Sequence, residues 1–192
     1  MTATGSYFPG MDVFVTRDFR PHDPINREEK AVVVRVESLG GGHVGVAIHI
    51  GRLLPKRVLF VCVGNSCRSP MAEALARHLA PDAIAASSAG AAPLGYVAPS
   101  TRTVLAEIGI SIAGLESKPL RQKDVAGADL LINMAGGPVF HGSTPVEHWL
   151  VPDPFGRDLA VYRSTRDEIE RRVIKLAKRL RASAATRRAS ER

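Results

Sequence analysis

The feature that most narrows what this chain can fold into is an unbroken apolar run, a short polar loop and a helix start in immediate succession. They are Val58-Leu-Phe-Val-Cys62, then Val63 to Arg68, then Ser69-Pro70. Five successive apolar residues offer no polar face to water, so the run fits a central strand covered on both sides, as in a parallel sheet. Ser69 is a favoured N-cap, Pro70 suits the first helical position and Glu73 adds negative charge in the first turn. This predicts a helix over about 70–79. A strand over 83–88, a helix over 100–108 closed by Gly109, a strand over 129–134 and a fourth strand over 148–151 follow. In the last helix Leu159, Tyr162, Ile169, Val173, Leu176 and Leu180 recur at spacings of three, four or seven, which puts one apolar stripe against the sheet and the arginines opposite. Alternating strands and helices indicate a mainly parallel α/β sheet with crossover helices.

Residues 1–55 read differently. Ala31 to Glu37 and His43 to Ile50 are β-rich and flank Ser38-Leu-Gly-Gly-Gly42, which predicts a hairpin within an N-terminal β-rich extension. His22, His43 and His49 have no acidic or cysteine company at ligand spacing, so no metal site is expected. The organisation that follows is an extension over 1–55, a principal domain over 56–182 and a disordered basic tail over 183–192. From Arg171 onward nine Lys and Arg face one acidic residue, so most of the net charge of +7 sits at this end. A solvated helix face and a patch for anionic partners both fit that charge; the near-neutral body gives no reason to expect nucleic acid. No apolar run reaches the roughly 20 residues that span a bilayer, and the first ten residues lack the basic start and apolar core of an export signal. A cytoplasmic protein with no membrane partner is the expectation.

The chemistry concentrates in Cys62-Val63-Gly64-Asn65-Ser66-Cys67-Arg68-Ser69. Unpaired amides at a helix N-terminus and the positive end of its dipole favour an anion. Gly64 and Asn65 tolerate the left-handed backbone angles that turn successive N–H groups to one side. A cysteine thiol titrates near ~8.5, and such a site with a cation lowers it to roughly 3.5–7.5, which makes Cys62 a nucleophile. Arg68 can present a planar fork to two phosphate oxygens, and the Ser69 hydroxyl is placed to donate to the Cys62 sulfur. Cys67 has two readings: packing behind the loop, or redox protection in which oxidised Cys62 condenses with it. Displacing an alkoxide also needs a proton donor. Asp153, in Val151-Pro-Asp-Pro-Phe-Gly156, is the candidate because its flanking prolines aim it, although the same residue suits a simple turn. Glu73, Asp129 and Asp158 read as helix-end or surface charges.

With these residues in view, the chain from about Arg57 to Leu180 resembles the low-molecular-weight protein-tyrosine phosphatases. The likeness rests on Val58 to Glu73, on Ser88-Ala-Gly90 and on Asp153-Pro-Phe-Gly156 followed by Tyr162 and Arg166-Asp-Glu-Ile169. It implies a four-stranded parallel sheet flanked by helices, a phosphoenzyme on Cys62, phosphate binding by Arg68, and Asp153 as acid and then base. Asn65, Ser69 and Ser88 would hold the loop in shape, and no cofactor is called for. The implied reaction is hydrolysis of phosphotyrosine-type phosphomonoesters, on phosphorylated protein or small aryl phosphates, with phosphate, vanadate or arsenate as ligands.

Departures bear on substrate. Ser66 stands where typical tyrosine-specific members carry a bulkier apolar residue, and Phe155-Gly156 replaces a tyrosine pair; both line the expected substrate pocket. A small residue at Ser66 looks like the bacterial protein-arginine phosphatases and the arsenate reductases of the same fold. The segment from Met134 to Trp149 is shorter than usual, which cuts back the wall for a phenyl ring. Thioredoxin-coupled arsenate reductases relay oxidation through a further cysteine, but only Cys62 and Cys67 are present, with Ala135 and Gly142 to Thr144 where another would lie. A reductase here would need an external thiol. A non-catalytic phosphate-sensing module is the reading from another class, and the joint presence of Cys62, Arg68 and Asp153 argues against it.

Overall fold

A computed structural model describes residues 7–16, 28–40, 43–50, 55–137 and 142–189. The chain divides into two compact units, one of Met1–Leu53 with Lys178–Arg192 and one of Leu54–Ala177. In the first, β1 (Asp12–Thr16), β2 (Glu28–Gly40) and β3 (His43–Ile50) form an antiparallel sheet in that order. β2 and β3 are the expected hairpin, with register shifts between Val33 and Arg35 and between Ser38 and Gly40. β1 is an addition, because its five residues lie among scattered Gly, Pro and Asp that mask its alternation. His22 lies outside the described residues.

The second unit is built from β4 (Lys56–Cys62), α1 (Arg68–Leu79), β5 (Ile84–Gly90), α2 (Pro99–Ala106), α3 (Gln122–Ala126), β6 (Leu130–Asn133), β7 (Val146–His148) and α4 (Leu159–Ala189) as far as Ala177. Its four strands are ordered β5-β4-β6-β7, and every pair is parallel. The fold is therefore the expected four-stranded parallel α/β sheet flanked by helices. Val58 to Cys62 are buried throughout, as an apolar run at the sheet centre requires. The connection after β4 goes to one neighbour, β5, and the later one to the other, β6. The crevice outside the carboxyl end of β4 is thus the switch point of the sheet, where open α/β folds bind ligands.

Several local expectations are corrected. α1 begins at Arg68 with Cys67 before it, so Ser69 is a first-turn residue rather than the N-cap; its side chain is committed elsewhere. Glu73 is no helix-end charge: it is 0% exposed. The fourth strand runs over Val146–His148 rather than 148–151, and residues 149–154 that follow it form no regular element. α3 was not foreseen, since five residues are too few to show a period.

In α4 the stripe is Tyr162, Ile169, Val173 and Leu176, all buried, whereas Leu159 is 38% exposed. Arginine is not confined to the outer face, for Arg166 is buried and donates to the Val104 carbonyl at 2.8 Å and to Glu107 at 3.4 Å. The helix is described to Ala189; alanine and arginine, abundant toward its end, are strong helix formers.

Removing a fully buried branched side chain costs transfer energy plus a cavity, about 2–5 kcal/mol. Ile169→Ala is expected to fall in that range by urea denaturation, whereas Leu159→Ala, at an exposed site, is expected to change stability by about 0.5 kcal/mol or less.

Candidate active site

The β4–α1 loop is held by its carbonyls. The oxygens of Cys62, Val63 and Gly64 accept from the amides of Ala91, Ala92 and Leu94 at 3.1, 2.9 and 2.9 Å. The Gly64 oxygen also accepts from Ser117 Oγ, and the Ser66 oxygen from the Ala98 amide and Thr101 Oγ1, both at 3.0 Å. With the carbonyls drawn outward, the amides are left over: among the described residues, no oxygen accepts from the backbone N–H groups of Gly64 to Arg68. Asn65 makes this turn possible at φ 43°, a left-handed angle that asparagine tolerates better than most side chains. Successive amides turned to one side at a helix start form an anion-binding concavity.

Asn65 is fully buried and locks the loop from behind. Its Nδ2 donates to Ser69 Oγ at 2.8 Å and to Ser88 Oγ at 2.9 Å, while its Oδ1 accepts from the Lys118 amide at 2.8 Å. Ser69 Oγ lies 3.0 Å from Cys62 Sγ and 3.4 Å from the Ala89 carbonyl. Ser88 Oγ donates to the Glu73 carboxylate, which is paired with Arg77. Gly90 passes so close that a Cβ there would sit 2.8 Å from Asn65 Cβ and from the Val63 oxygen.

Arg68 is 7% exposed. Its Nη1 donates to the carbonyls of Met134 at 2.8 Å and Val151 at 3.3 Å, and its Nη2 pairs with Asp153 Oδ2. Nε is buried without a partner, as is Ser66 Oγ. Two carbonyls thus fix one end of the guanidinium and leave the Nε–Nη2 edge, the fork that recognises oxyanions, facing a replaceable carboxylate. The Asp153 side chain is 46% exposed. It is both turn former and aimed group, because Oδ1 accepts from the Phe155 amide at 3.2 Å while Oδ2 faces Arg68.

One cleft of about 280 Å³ is walled by Cys62, Val63, Gly64, Ser66, Cys67, Ala92, Leu94, Asp153 and Phe155; Arg68 adjoins it through its pair with Asp153. Asn65 and Ser69, expected in the phosphate loop, lie behind it. Ala92 and Leu94, which the sequence reading missed, come from the turn after β5, where nothing periodic marks them. A larger cleft of about 630 Å³ near Arg57 and Ser87 is lined by no cysteine. Burial pushes the Cys67 thiol up, against a weaker opposing contact with the Tyr162 hydroxyl at 3.4 Å. Burial and the neighbouring Cys67 likewise push the Tyr162 phenol up.

A buried sulfur and a forked cation around uncommitted amides at the carboxyl edge of a parallel sheet define a protein built to receive a tetrahedral oxyanion. Residues 57–141 match the family described as low molecular weight phosphotyrosine protein phosphatase, and the chain belongs to that family. A glutaredoxin arsenate reductase of Synechocystis sp. is 35% identical over 123 residues, covering 62% of this chain and 93% of the relative. A protein-arginine-phosphatase of Geobacillus stearothermophilus is 33% identical over 148 residues, covering 66% and 97%. The solved structure of an arsenate reductase in the phosphate binding state superposes with a TM-score of 0.60 at 34% identity, over 65% of this chain and 98% of that one.

Gly90→Ala must displace either Asn65 or the Val63 carbonyl. It is expected to lower phosphate affinity, measured by calorimetry, by about tenfold or more, an effect that Gly137→Ala, where an added Cβ meets nothing and the backbone has no left-handed angle, would not share.

Proposed function

We propose that this chain is a phosphatase that hydrolyses phosphorylated side chains through a phosphocysteine on Cys62. The observation that supports it most is that Cys62, Asp153 and the loop with its uncommitted amides share one cleft, with Arg68 Nη2 paired to Asp153. The phosphoryl group would sit in the amide cradle, with two oxygens on the guanidinium. Sulfur attacks phosphorus while the leaving oxygen takes a proton from Asp153; water, deprotonated by the same carboxylate, then releases phosphate from sulfur. The Ser69 hydroxyl stabilises the sulfur anion when it leaves. Cys67, on the same cleft, would protect an oxidised Cys62: its thiol displaces hydroxide from the sulfenic acid, giving a disulfide and water.

The substrate class we assign first is the phosphotyrosine-type aryl phosphate on protein, in keeping with the family and with the apolar Leu94 and Phe155 walls. Phosphoarginine is the second reading, and Ser66 favours it. Its hydroxyl is buried, unpartnered and set in the cleft wall, and it can accept from a guanidinium N–H but gains nothing from a phenyl ring. One relative is named a protein-arginine-phosphatase. Arsenate reduction, named in another relative, would require an external thiol here, since Cys62 and Cys67 are the chain's two cysteines.

Steady-state hydrolysis of phosphotyrosine and phosphoarginine peptides, alongside arsenate-dependent thiol consumption, separates the three. Metal-independent, vanadate-inhibited turnover is expected, lost with Cys62→Ala and reduced by about 10²-fold or more with Arg68→Lys. Asp153→Asn should slow the poorer leaving groups most, by roughly 10²–10⁴-fold. Turnover that needs a divalent cation, or survives Cys62→Ala, contradicts the mechanism.

A further inference from the structure

The parallel sheet ends on one side at β5, and the backbone of that strand is left open over part of its outer edge. The Lys56 amide donates to the Ala83 carbonyl at 2.9 Å and the Ala91 amide to the Cys62 carbonyl at 3.1 Å. In a parallel ladder alternate residues bond to a given neighbour, so the odd-numbered residues of β5 face β4 and the even-numbered ones face outward. Gly90 shows the outward set at work. Its amide donates to the Lys118 carbonyl at 2.9 Å and its carbonyl accepts from the Leu120 amide at 2.8 Å, a parallel bridge to Pro119. A fifth strand thus starts beside Gly90 and stops after one bridge. Farther back the Ile84 amide is taken by the Ala80 carbonyl at 2.8 Å, but the outward amides and carbonyls of Ala86 and Ser88 have no partner among the described residues.

The cleft of about 630 Å³ lies along this opening, for five consecutive residues, Ile84 to Ser88, line it. Successive strand residues point to opposite faces, so a cavity that touches all five wraps the edge of the sheet. Ala85 and Ser87 pair with Arg57 and Leu59 on the face packed against Val125 of α3, and Lys123 and Gly127 extend the wall there. On the other face Ser88 bonds to Glu73 of α1, and Arg77 and Pro81 extend the wall. Arg57 is paired with Asp129 and Arg77 with Glu73, whereas Lys118 and Lys123, also in the lining, make no ion pair among the described residues. Asp124, the one carboxylate of the lining, accepts from the Arg121 amide at 3.1 Å.

Exposed edges are usually protected by a charge, a proline or a bulge on the strand itself. Ile84 to Ser88 carry no charge or proline, and their register with β4 is unbroken. Ala85, Ala86 and Ser87 are short enough to let another backbone approach. The flanking lysines repel a basic strand and a second copy of the same edge, and attract an acidic one.

We propose that this edge binds an extended acidic peptide segment of a partner protein, which adds to the sheet as a strand beside β5. Ala86 and Ser88 supply the main-chain donors and acceptors, Lys118 and Lys123 meet the carboxylates, and apolar side chains of the segment pack on the α1 side near Pro81. The segment alternates acidic and apolar residues over roughly five positions, matching an open edge of about 17 Å. This site is separate from the Cys62 cleft and does not depend on the reaction proposed there.

The probe is a fluorescein-labelled peptide of about ten alternating Glu and Val residues, long enough to overlap the edge in either direction. It is titrated with the full chain and read by anisotropy, while amide hydrogen exchange is followed by NMR with and without unlabelled peptide. Saturable binding is expected, with exchange at Ala86 and Ser88 slowed by about tenfold or more in the complex. The same peptide with N-methylated backbone amides keeps its charge but loses its donors, and is expected to bind about tenfold more weakly or worse. Ala86→Pro removes an outward amide without touching the bonds to β4, and is expected to weaken binding by about fivefold or more. Lys123→Glu is expected to weaken it by about threefold or more. If Ala86→Pro does not fold, hydrogen exchange in the unaltered protein carries the test. No saturable binding at about 1 mM peptide, undiminished binding of the methylated peptide, or unchanged affinity in folded Ala86→Pro overturns the inference. So does equal binding of an oligothymidylate of the same charge, the mark of a site for charge alone, or protection of Ala86 and Ser88 by self-association without peptide.

Discussion

The candidate site depends on one backbone arrangement: the Cys62, Val63, Gly64 and Ser66 carbonyls are taken by neighbouring segments, while the amides of Gly64 to Arg68 have no oxygen acceptor among the described residues. A loop of that kind gives up its own hydrogen bonds, and buried amides without acceptors are costly. The protein offsets this from the carbonyl side, where four loop oxygens accept from the 91–117 region, and from the side chain of Asn65, which anchors the turn at three points. The uncommitted donors are what an oxyanion would satisfy. Anion affinity and loop strain are thus two views of one arrangement.

Placement follows from the sheet. β4 is central and parallel to both neighbours, so its carboxyl end opens at the point where the chain has gone one way to β5 and returns the other way to β6. The ends of β5 and β6 and the stretch after β7 meet the loop there: Ala89 and Gly90 lie behind it, and the Met134 and Val151 carbonyls hold Arg68. Arg68 ties the loop to two of these segments, the one after β6 and the one after β7. Arginine suits the task because its donors form a rigid fork, one end of which can be fixed by protein while the other recognises an oxyanion.

How much of this could be read from the residues differed by position, for physical reasons. β4 was legible because burial on both faces leaves no polar residue in the run. Cys62, Arg68 and Asp153 were legible because loop geometry, helix start and flanking prolines each restrict what can stand there. Glu73 was misread because acidic residues are common near a helix start; the signal against that reading was its setting in the apolar run Met71-Ala72-Glu73-Ala74-Leu75. The roles of Ser88, Lys118 and Leu94 were hard to see in advance, because they arise from segments that meet only after the sheet has formed. The extension of α4 was hidden by its Ala and Arg composition, which a frayed end and a helix share.

The family reading and the geometry bear on each other through a single bond, sulfur to phosphorus. Rapid quenching of the protein with a phosphorylated aryl substrate, followed by acid digestion and mass spectrometry, asks whether that bond forms. The account predicts one phosphoryl group on the peptide that contains Cys62, appearing within a turnover, decaying as phosphate is released and missing from Cys62→Ala. Turnover with no such adduct at any quench time, or an adduct on another residue, contradicts it.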